Sequence, residues 1–358
     1  MTCISIVLAM VVAAGAAPAD TVSSTTGLSF SHDDWQLVCD NTRTCRAVGY
    51  QSEDGETGVA VLLIRKGGAG EPVKASLMIG DDGDGGDDSA TKKSPSRLEL
   101  TMRIDGKSLG FATVRLKDRV GDLTEAQLAA LLKALHGSAE IEWSTKEQSW
   151  RVSGKGASAV LLKMDEFQGR LGTTGAIFKK GPQDEARVLP ALPLPVVMAA
   201  AVANPKTEDN RFVAKHRAAL RKSLAAVVQR DDCPMLAEGQ GKASQLVATR
   251  LSDTKLLIGG LCWQGAYNDG LGYWVVEEAP PYQAALVTTS GSEYQNGTIS
   301  SEQKDRGVGD CWSSDVWTWD GKQFVHTSSS STGLCKGIGA GGAWSLPTIV
   351  TDVRPVIR

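Results

Sequence analysis

The sequence predicts a mainly β protein of the α+β class, with a β-sandwich-like N-terminal domain and a disulfide-stapled, β-rich C-terminal domain that opens with a long helix. Three features predict this architecture. Short runs alternate apolar and polar residues between turn dipeptides, only a few stretches have helical periodicity, and a proline-rich segment joins the two halves. With 358 residues, the chain is long enough for two ordinary cores. The predicted parts are a signal peptide at 1–19, an N-terminal domain at 28–181, a linker at 182–205 and a C-terminal domain at 206–358.

Residues 1–19 have the pattern of a signal peptide. An apolar run from Ile4 to Ala14 precedes Ala17-Pro18-Ala19, a small-residue cleavage site. The run is too short to span a bilayer, and we predict no membrane span in the mature chain. One feature is atypical, since no Lys or Arg precedes the apolar run. The pattern therefore predicts export.

The first domain contains two clear strand patterns, at Val59–Arg65 and Leu98–Ile104. The second alternates apolar and polar residues and is followed by Asp105-Gly106, the dipeptide that a type I′ hairpin turn prefers. Between the two strands lies the acidic segment Asp81–Asp88. It lacks the pattern of a calcium-binding EF-hand loop, so we expect a solvated loop.

Two helices are expected later in the same domain. The first runs from Glu125 to His136, because Thr124 and Gln127 form the sequence pattern of a capping box and leucines recur on one face. The second is expected from Ala159 to Gln168.

Proline marks the join between the domains. Five of the 13 prolines fall between Pro182 and Pro205, which favours an extended segment over either regular element. A long amphipathic helix is then expected from Asp209 to Gln229. Six strands are predicted after it, at Gln245–Leu251, Lys255–Cys262, Tyr273–Glu278, Ala284–Thr289, Val316–Trp319 and Gln323–Thr327.

Cleavage of the signal peptide removes Cys3 and leaves an even number of cysteines. An even number in an exported chain predicts a disulfide framework. We favour three bridges, although the last four cysteines permit three pairings: Cys39–Cys45, Cys233–Cys262 and Cys311–Cys335.

Motifs that carry catalysis or bind cofactors are missing. The four histidines are not spaced as metal ligands, and no G-x-S-x-G nucleophile elbow occurs. A G-x-G-x-x-G run at 337–342 is followed by Pro347 and has too little chain behind it for a dinucleotide-binding unit. We therefore predict no cofactor and no metal. The net charge of −3 gives no basic footprint, so no nucleic-acid partner is expected.

Four motifs carry a family resemblance. They are WQLVCDNTRTCRAVGY at 35–50, LKMDEFQGR at 162–170, CWQGAYN at 262–268 and KDRGVGDC at 304–311. In this order they resemble the bacterial domain of unknown function 1176 family, whose members are exported proteins of about this length with six characteristic cysteines. Two residues depart from the family pattern: Asp305, where the usual K-G-R-G run has glycine, and Trp312, where glycine is common after the cysteine. The family has no assigned function, so the resemblance implies no mechanism.

The N-terminal half is also loosely similar to the invasion-associated locus B family. Trp35, Cys39, Asp105-Gly106 and the helix near Leu128 fall in a similar order. That resemblance implies a compact β-sandwich in the envelope. Together the two resemblances and the signal peptide lead us to expect a periplasmic or secreted protein of a Gram-negative bacterial envelope.

We predict a non-enzymatic envelope protein that binds another protein or a cell-wall glycan. Export, stapling and a surplus of tryptophan, with six of nine in the second domain, support this prediction. The candidate binding surface comprises Asp165, Glu166, Arg170, Tyr267, Asn268, Lys304, Arg306 and Asp310; turns and helix ends use the same residue types, so a structural role is the competing interpretation. The alternatives are a peptidoglycan hydrolase using carboxylates such as Asp165, Glu166 or Asp310, and an inhibitor of lysozyme.

Overall fold

A computed structural model describes residues 27–55, 57–80, 96–238 and 245–356. The predicted signal peptide at 1–19 and the predicted solvated loop at Asp81–Asp88 lie outside these ranges. Within them the chain forms twenty-one strands and four α-helices, so the predicted mainly β, α+β class is confirmed. None of the helices in these ranges is long and apolar enough to cross a membrane.

Ten antiparallel strands form the sheet of the first half. Along the sheet their order is β1-β2-β3-β4-β5-β8-β7-β6-β9-β10. The strands are β1 (Leu28–His32), β2 (Trp35–Cys39), β3 (Cys45–Tyr50), β4 (Val59–Arg65), β5 (Lys74–Ile79), β6 (Arg97–Ile104), β7 (Lys107–Arg115), β8 (Val120–Asp122), β9 (Ile141–Ser144) and β10 (Ser149–Val152). Both predicted strands are present, and Asp105 and Gly106 have φ angles of 49° and 75°, as a type I′ turn requires.

This sheet folds over itself instead of splitting into two. The Ser153 N–H, just after β10, donates to the Tyr50 carbonyl at the end of β3 over 2.9 Å. The Thr57 hydroxyl donates to the Ser149 carbonyl over 2.8 Å. Side chains from both ends of the sheet, such as Leu37 and Trp143, therefore share one core. The sandwich-like arrangement comes from the curvature of a single sheet.

Two helices cover this core. Helix α1 (Glu125–Ala134) has the predicted capping box, in which Thr124 accepts from the Gln127 N–H and the Gln127 side chain accepts from the Thr124 N–H. It ends two residues before the predicted His136. Helix α2 (Ala157–Phe167) begins two residues earlier than predicted and contacts β1, β2 and β3.

The proline-rich segment is extended and attached to both halves. The Arg43 side chain donates to the Pro190 carbonyl over 2.9 Å. Further on, β11 (Val196–Ala199) pairs in parallel with β21 (Asp352–Pro355), close to the end of the chain. The predicted extended segment therefore includes a short strand. β11 can form hydrogen bonds with β21 because its four residues include no proline.

The second half contains helices α3 (Asp209–Ala225) and α4 (Pro234–Glu238) and two antiparallel sheets. Helix α3 begins at the predicted residue and ends four residues early. One sheet consists of β12 (Val247–Arg250), β13 (Lys255–Gln264), β14 (Asp269–Glu277) and β15 (Ala285–Gly291). The other consists of β16 (Glu293–Gln295), β17 (Thr298–Lys304), β18 (Trp312–Trp319), β19 (Phe324–Ser331) and β20 (Leu346–Ile349). The six predicted strands are present with shifted ends, whereas β16, β17, β20 and β21 were not predicted.

Successive side chains along β13 point to opposite faces of the sheet and so pack in two different cores. Leu256 and Ile258 face α3, where Leu220 and Leu224 pack against them. Leu257 faces the five-stranded sheet and packs in a core that includes Trp319. Trp274 and Trp319 are each only 1% exposed, so neither is a platform for a ligand.

A third core joins the two halves. The outer faces of β3 and β4, including Val48 and Leu62, pack against Ile338 and Leu346 from the C-terminal segment. Lys336 also forms an ion pair with Asp34 over 2.8 Å. The end of the chain is therefore held against the first domain.

All six cysteines in the described ranges are in disulfides. The pairs are Cys39–Cys45, Cys233–Cys262 and Cys311–Cys335, which is the pairing favoured from the sequence. Three bridged pairs are typical of proteins that fold in an oxidising compartment.

Candidate functional site

The 162–170 motif forms an internal polar cluster, which we call the buried cluster: Arg65, Asp165, Gln168, Arg170 and Glu185. Asp165 is fully buried on α2. Its carboxylate accepts from the backbone N–H groups of Ile177 and Phe178, over 2.9 and 2.7 Å. Because these bonds fix the loop that follows, Asp165 has a structural role.

Arg170 is the centre of the buried cluster and is also fully buried. Its guanidinium donates to the Gln168 side chain over 3.1 Å, to Glu185 over 2.5 Å and to the backbone carbonyl of Gly68. Burial raises the pKa of Glu185, but the Gly70 N–H bond and the charges of Arg170 and Arg65 outweigh it and hold that pKa below its usual range. The charges of the cluster are thus compensated internally.

The prediction that Asp165 and Arg170 lie on a binding surface is therefore wrong. A charged group is retained in an interior only when its partners replace water, and here backbone groups and Glu185 do so. Of the three predicted residues in this motif, Glu166 is exposed, and it pairs with Lys163 of the same helix over 2.8 Å. The structure does not bring these three residues together at one surface.

The other five predicted residues do come together, in two loops of the second half. Asn268 lies in the loop between β13 and β14, and Lys304 ends β17. The Asn268 amide donates to the Lys304 carbonyl over 2.8 Å and accepts from the Lys304 N–H over 3.1 Å. The Asn268 side chain thereby pairs with the Lys304 backbone as an adjacent strand would, and it holds the two loops together.

Arg306 and Asp310 brace the loop between β17 and β18. The Arg306 guanidinium grips the Asp310 carboxylate with two N–H groups, one of them over 2.6 Å. Asp310 also accepts from the Gly337 N–H over 2.7 Å, and the Arg306 bond holds its pKa below the usual range. Asp310 is buried, so its placement on a binding surface is also corrected: it shapes the loop from inside.

Trp312 has a defined place in this loop. Its indole N–H donates to the Gly309 carbonyl over 2.9 Å. The Lys304 ammonium lies 5.4 Å from the ring centroid, within the range of a cation–π contact. The neighbouring Cys311–Cys335 bridge ties the loop to the segment packed on the first domain.

These braces leave apolar side chains outside. Val308 is 75% exposed and Tyr267 49% exposed, beside Lys304 and Arg306. We call the surface made by Tyr267, Lys304, Arg306, Val308 and Trp312 the tip. Val308 was not among the predicted binding residues. The sequence signal for its exposure is its position as a single apolar residue between Gly307 and Gly309.

A histidine–carboxylate pair was also missed. His326 and Asp315, on β19 and β18, lie 2.7 Å apart, and the imidazole stacks on Trp317 with ring centroids 4.8 Å apart. Trp317 and His326 line a cleft of about 380 Å³. Burial raises the pKa of Asp315, but hydrogen bonds from His326 and Ser329 hold it below its usual range. The pair therefore fixes the imidazole of His326 at the wall of this cleft.

The three carboxylates named for a hydrolase lie in different environments, and Glu166 is exposed and paired with Lys163. Asp165 is enclosed and Asp310 is held by Arg306. Among the described residues, one group has the spacing of a metal site, namely Asp305, Cys311 and Cys335. Its two sulfur atoms are bonded to each other and offer no thiolate to a metal.

Comparison with known proteins identifies the family. The model of the family described as "Protein of unknown function (DUF1176)" matches residues 29–351, so the chain belongs to that family. This confirms the resemblance carried by the four motifs.

One curated relative is the uncharacterized protein YpfG of Escherichia coli (strain K12). It is 25% identical over 348 residues, which cover 88% of this chain and 90% of the relative. No solved structure matches. The looser resemblance to the invasion-associated locus B family finds no support in these comparisons.

Proposed function

We propose that the protein is a non-enzymatic binding protein of the cell envelope, whose tip docks onto an apolar patch of a partner protein. The observation that carries the proposal is the exposure of Val308 and Tyr267 on braced loops. An apolar side chain held out on a rigid loop gains from burial in a partner. It also loses little conformational freedom when it binds.

The chemistry of the tip favours a protein over a cell-wall glycan. Lys304 and Arg306 are balanced by Asp305 and Asp310, so the tip has little net charge with which to attract an anionic polymer. Lys304 lies against the Trp312 ring, which leaves less of that ring free for stacking on a sugar. Apolar contact surrounded by charged groups is the composition of a protein–protein hot spot.

The disulfides also support the proposed location in the cell envelope. Three disulfides fit an oxidising environment, and the signal-peptide pattern fits export to the periplasm or secretion. An envelope partner is therefore the natural target of the tip.

In-cell photo-crosslinking tests the proposal. A photoreactive phenylalanine analogue replaces Val308 in one strain and Phe111, an equally apolar residue that is 63% exposed on β7, in a control strain. We expect a discrete adduct of defined mass from position 308 and none from position 111. The adduct is expected to survive muramidase digestion.

Three results would count against the proposal. An adduct that collapses after muramidase treatment would identify a glycan instead of a protein. Equal labelling from both positions would show that any exposed apolar residue is captured. Complete lack of an adduct at position 308 would remove the tip as a docking surface.

A further inference from the structure

A second cleft lies in the first half of the chain, remote in sequence from the tip. It has a volume of about 550 Å³ and lies between the C-terminal half of α1 and the 175–180 loop. Its walls are mainly apolar, with Leu132 from the helix and Ala176 and Ile177 from the loop. Its size is within the range of small-molecule sites, which are commonly 300–1,000 Å³.

The polar groups of this cleft are all cationic or neutral. Lys133, Lys180, Arg65 and His136 line it, and no carboxylate is among the described lining residues. Arg65 lies 3.7 Å from Glu185, which compensates its charge. Lys133 and Lys180 have no ion pair with any residue in the described ranges, so they supply the uncompensated positive charge.

The wall of the cleft is preformed. The buried Asp165 carboxylate holds the Ile177 and Phe178 N–H groups, which fixes the loop side. His136 stacks on Phe178 with ring centroids 4.5 Å apart, and its Nε2 lies 3.2 Å from the Ile177 carbonyl. Helix and loop are thereby joined along one edge, so a ligand meets a cleft that is already shaped.

We infer that this cleft binds a single-chain anionic amphiphile. Its hydrocarbon chain lies against Leu132, Ala176 and Ile177, and Lys133 and Lys180 bind its carboxylate or phosphate head group. The apolar walls provide affinity for the chain, and the two lysines provide selectivity for the anion. This activity is independent of the proposed function of the tip, since no residue is shared.

Titration of the purified mature protein tests the inference with three soluble probes of equal chain length: octanoate, octyl phosphate and 1-octanol. Isothermal titration calorimetry below the micellar concentration gives the affinities. We expect at least one anion to bind about tenfold more tightly than the alcohol. The preferred anion distinguishes a fatty acid from a phospholipid-derived head group as the source.

Matched variants separate the charge from the cleft. The double variant K133Q/K180Q is expected to reduce anion binding to the level of the alcohol. The control K117Q/K146Q removes two exposed lysines that do not line the cleft, and it is expected to leave all affinities within about twofold. A129W fills the cleft from an exposed helix position, so it is expected to abolish binding of all three probes.

The inference is overturned if the alcohol binds as tightly as the anions, or if none of the probes binds. It is also overturned if K133Q/K180Q behaves like its control, because the head group would then lie elsewhere. Retention of binding in A129W would place the chain outside this cleft.

Discussion

The buried cluster and the tip contain the same residue types, but the first is enclosed in the protein and the second is exposed to solvent. Each region has an arginine whose guanidinium binds a carboxylate: Arg170 binds Glu185, and Arg306 binds Asp310. The Arg170 side chain has no exposed surface, whereas the Arg306 side chain is 46% exposed. In the first half, charged groups hold a loop against a core. In the second, charged and amide groups hold two loops outward, and their neighbours Val308 and Tyr267 remain in solvent.

The difference shows that a charge-rich motif does not by itself mark a binding surface. The polar atoms of both motifs bond to backbone groups, so both act as braces. What distinguishes the tip is the apolar surface that its braces leave uncovered.

Removing the central arginine of each region is expected to give the largest contrast. R170M leaves the buried Gln168 and the partly buried Glu185 without their bonds to the guanidinium, so we expect a loss of about 3–5 kcal/mol in the free energy of unfolding. R306M breaks a pair that is partly exposed, and a loss of about 1 kcal/mol or less is expected. Urea denaturation of both variants gives the two values, and equal losses would break the comparison.

The Cys311–Cys335 bridge is expected to contribute next. It closes a loop with a sequence separation of 24 residues. In the chain-entropy model such a loop stabilises by about 3.5 kcal/mol. C311S/C335S is therefore expected to lower the unfolding free energy by about this amount and to speed amide exchange in residues 304–312. Unchanged exchange in this loop would show that the bridge does not brace the tip.

Acid is expected to weaken the brace at Asp310 specifically. The Arg306 bond lowers its folded-state pKa, so its contribution is present above the unfolded pKa of about 3.9 and is lost as pH falls through the folded value. Stability of D310N is expected to fall less steeply than that of the parent below about pH 4. D253N, which removes an exposed carboxylate, is the control and is expected to keep the parental slope.

Local signals in the sequence were sufficient for much of the fold. The capping box at Thr124 and Gln127 and the turn at Asp105-Gly106 depend on residues within a few positions, so α1 and the β6–β7 hairpin were predictable. Asn296-Gly297, which joins β16 and β17 with φ angles of 47° and 85°, is an equally clear turn signal that was overlooked.

The burial of the motifs was not predictable in the same way. Arg170 bonds to Gly68, 102 positions away, and Val196 of β11 pairs with Asp352 of β21, which is more distant still along the chain. Such partners are set by tertiary packing, which leaves no local pattern. The same limit applies to the tip: its residues were named from their motifs, but the exposure of Val308 depends on how two distant loops are braced.

The most direct test of the central claim measures stability and docking on one variant. In the Y267S/V308S background, the photo-crosslinker is placed at Asp305, an exposed neighbour in the same loop. Because both substituted side chains are largely exposed, we expect the free energy of unfolding to stay within about 0.5 kcal/mol per substitution of the parent, while the adduct formed from position 305 in the parent is lost. Retention of the adduct, or a fall in stability of about 2 kcal/mol or more, would contradict the claim that the tip is a docking surface and not part of the folding core.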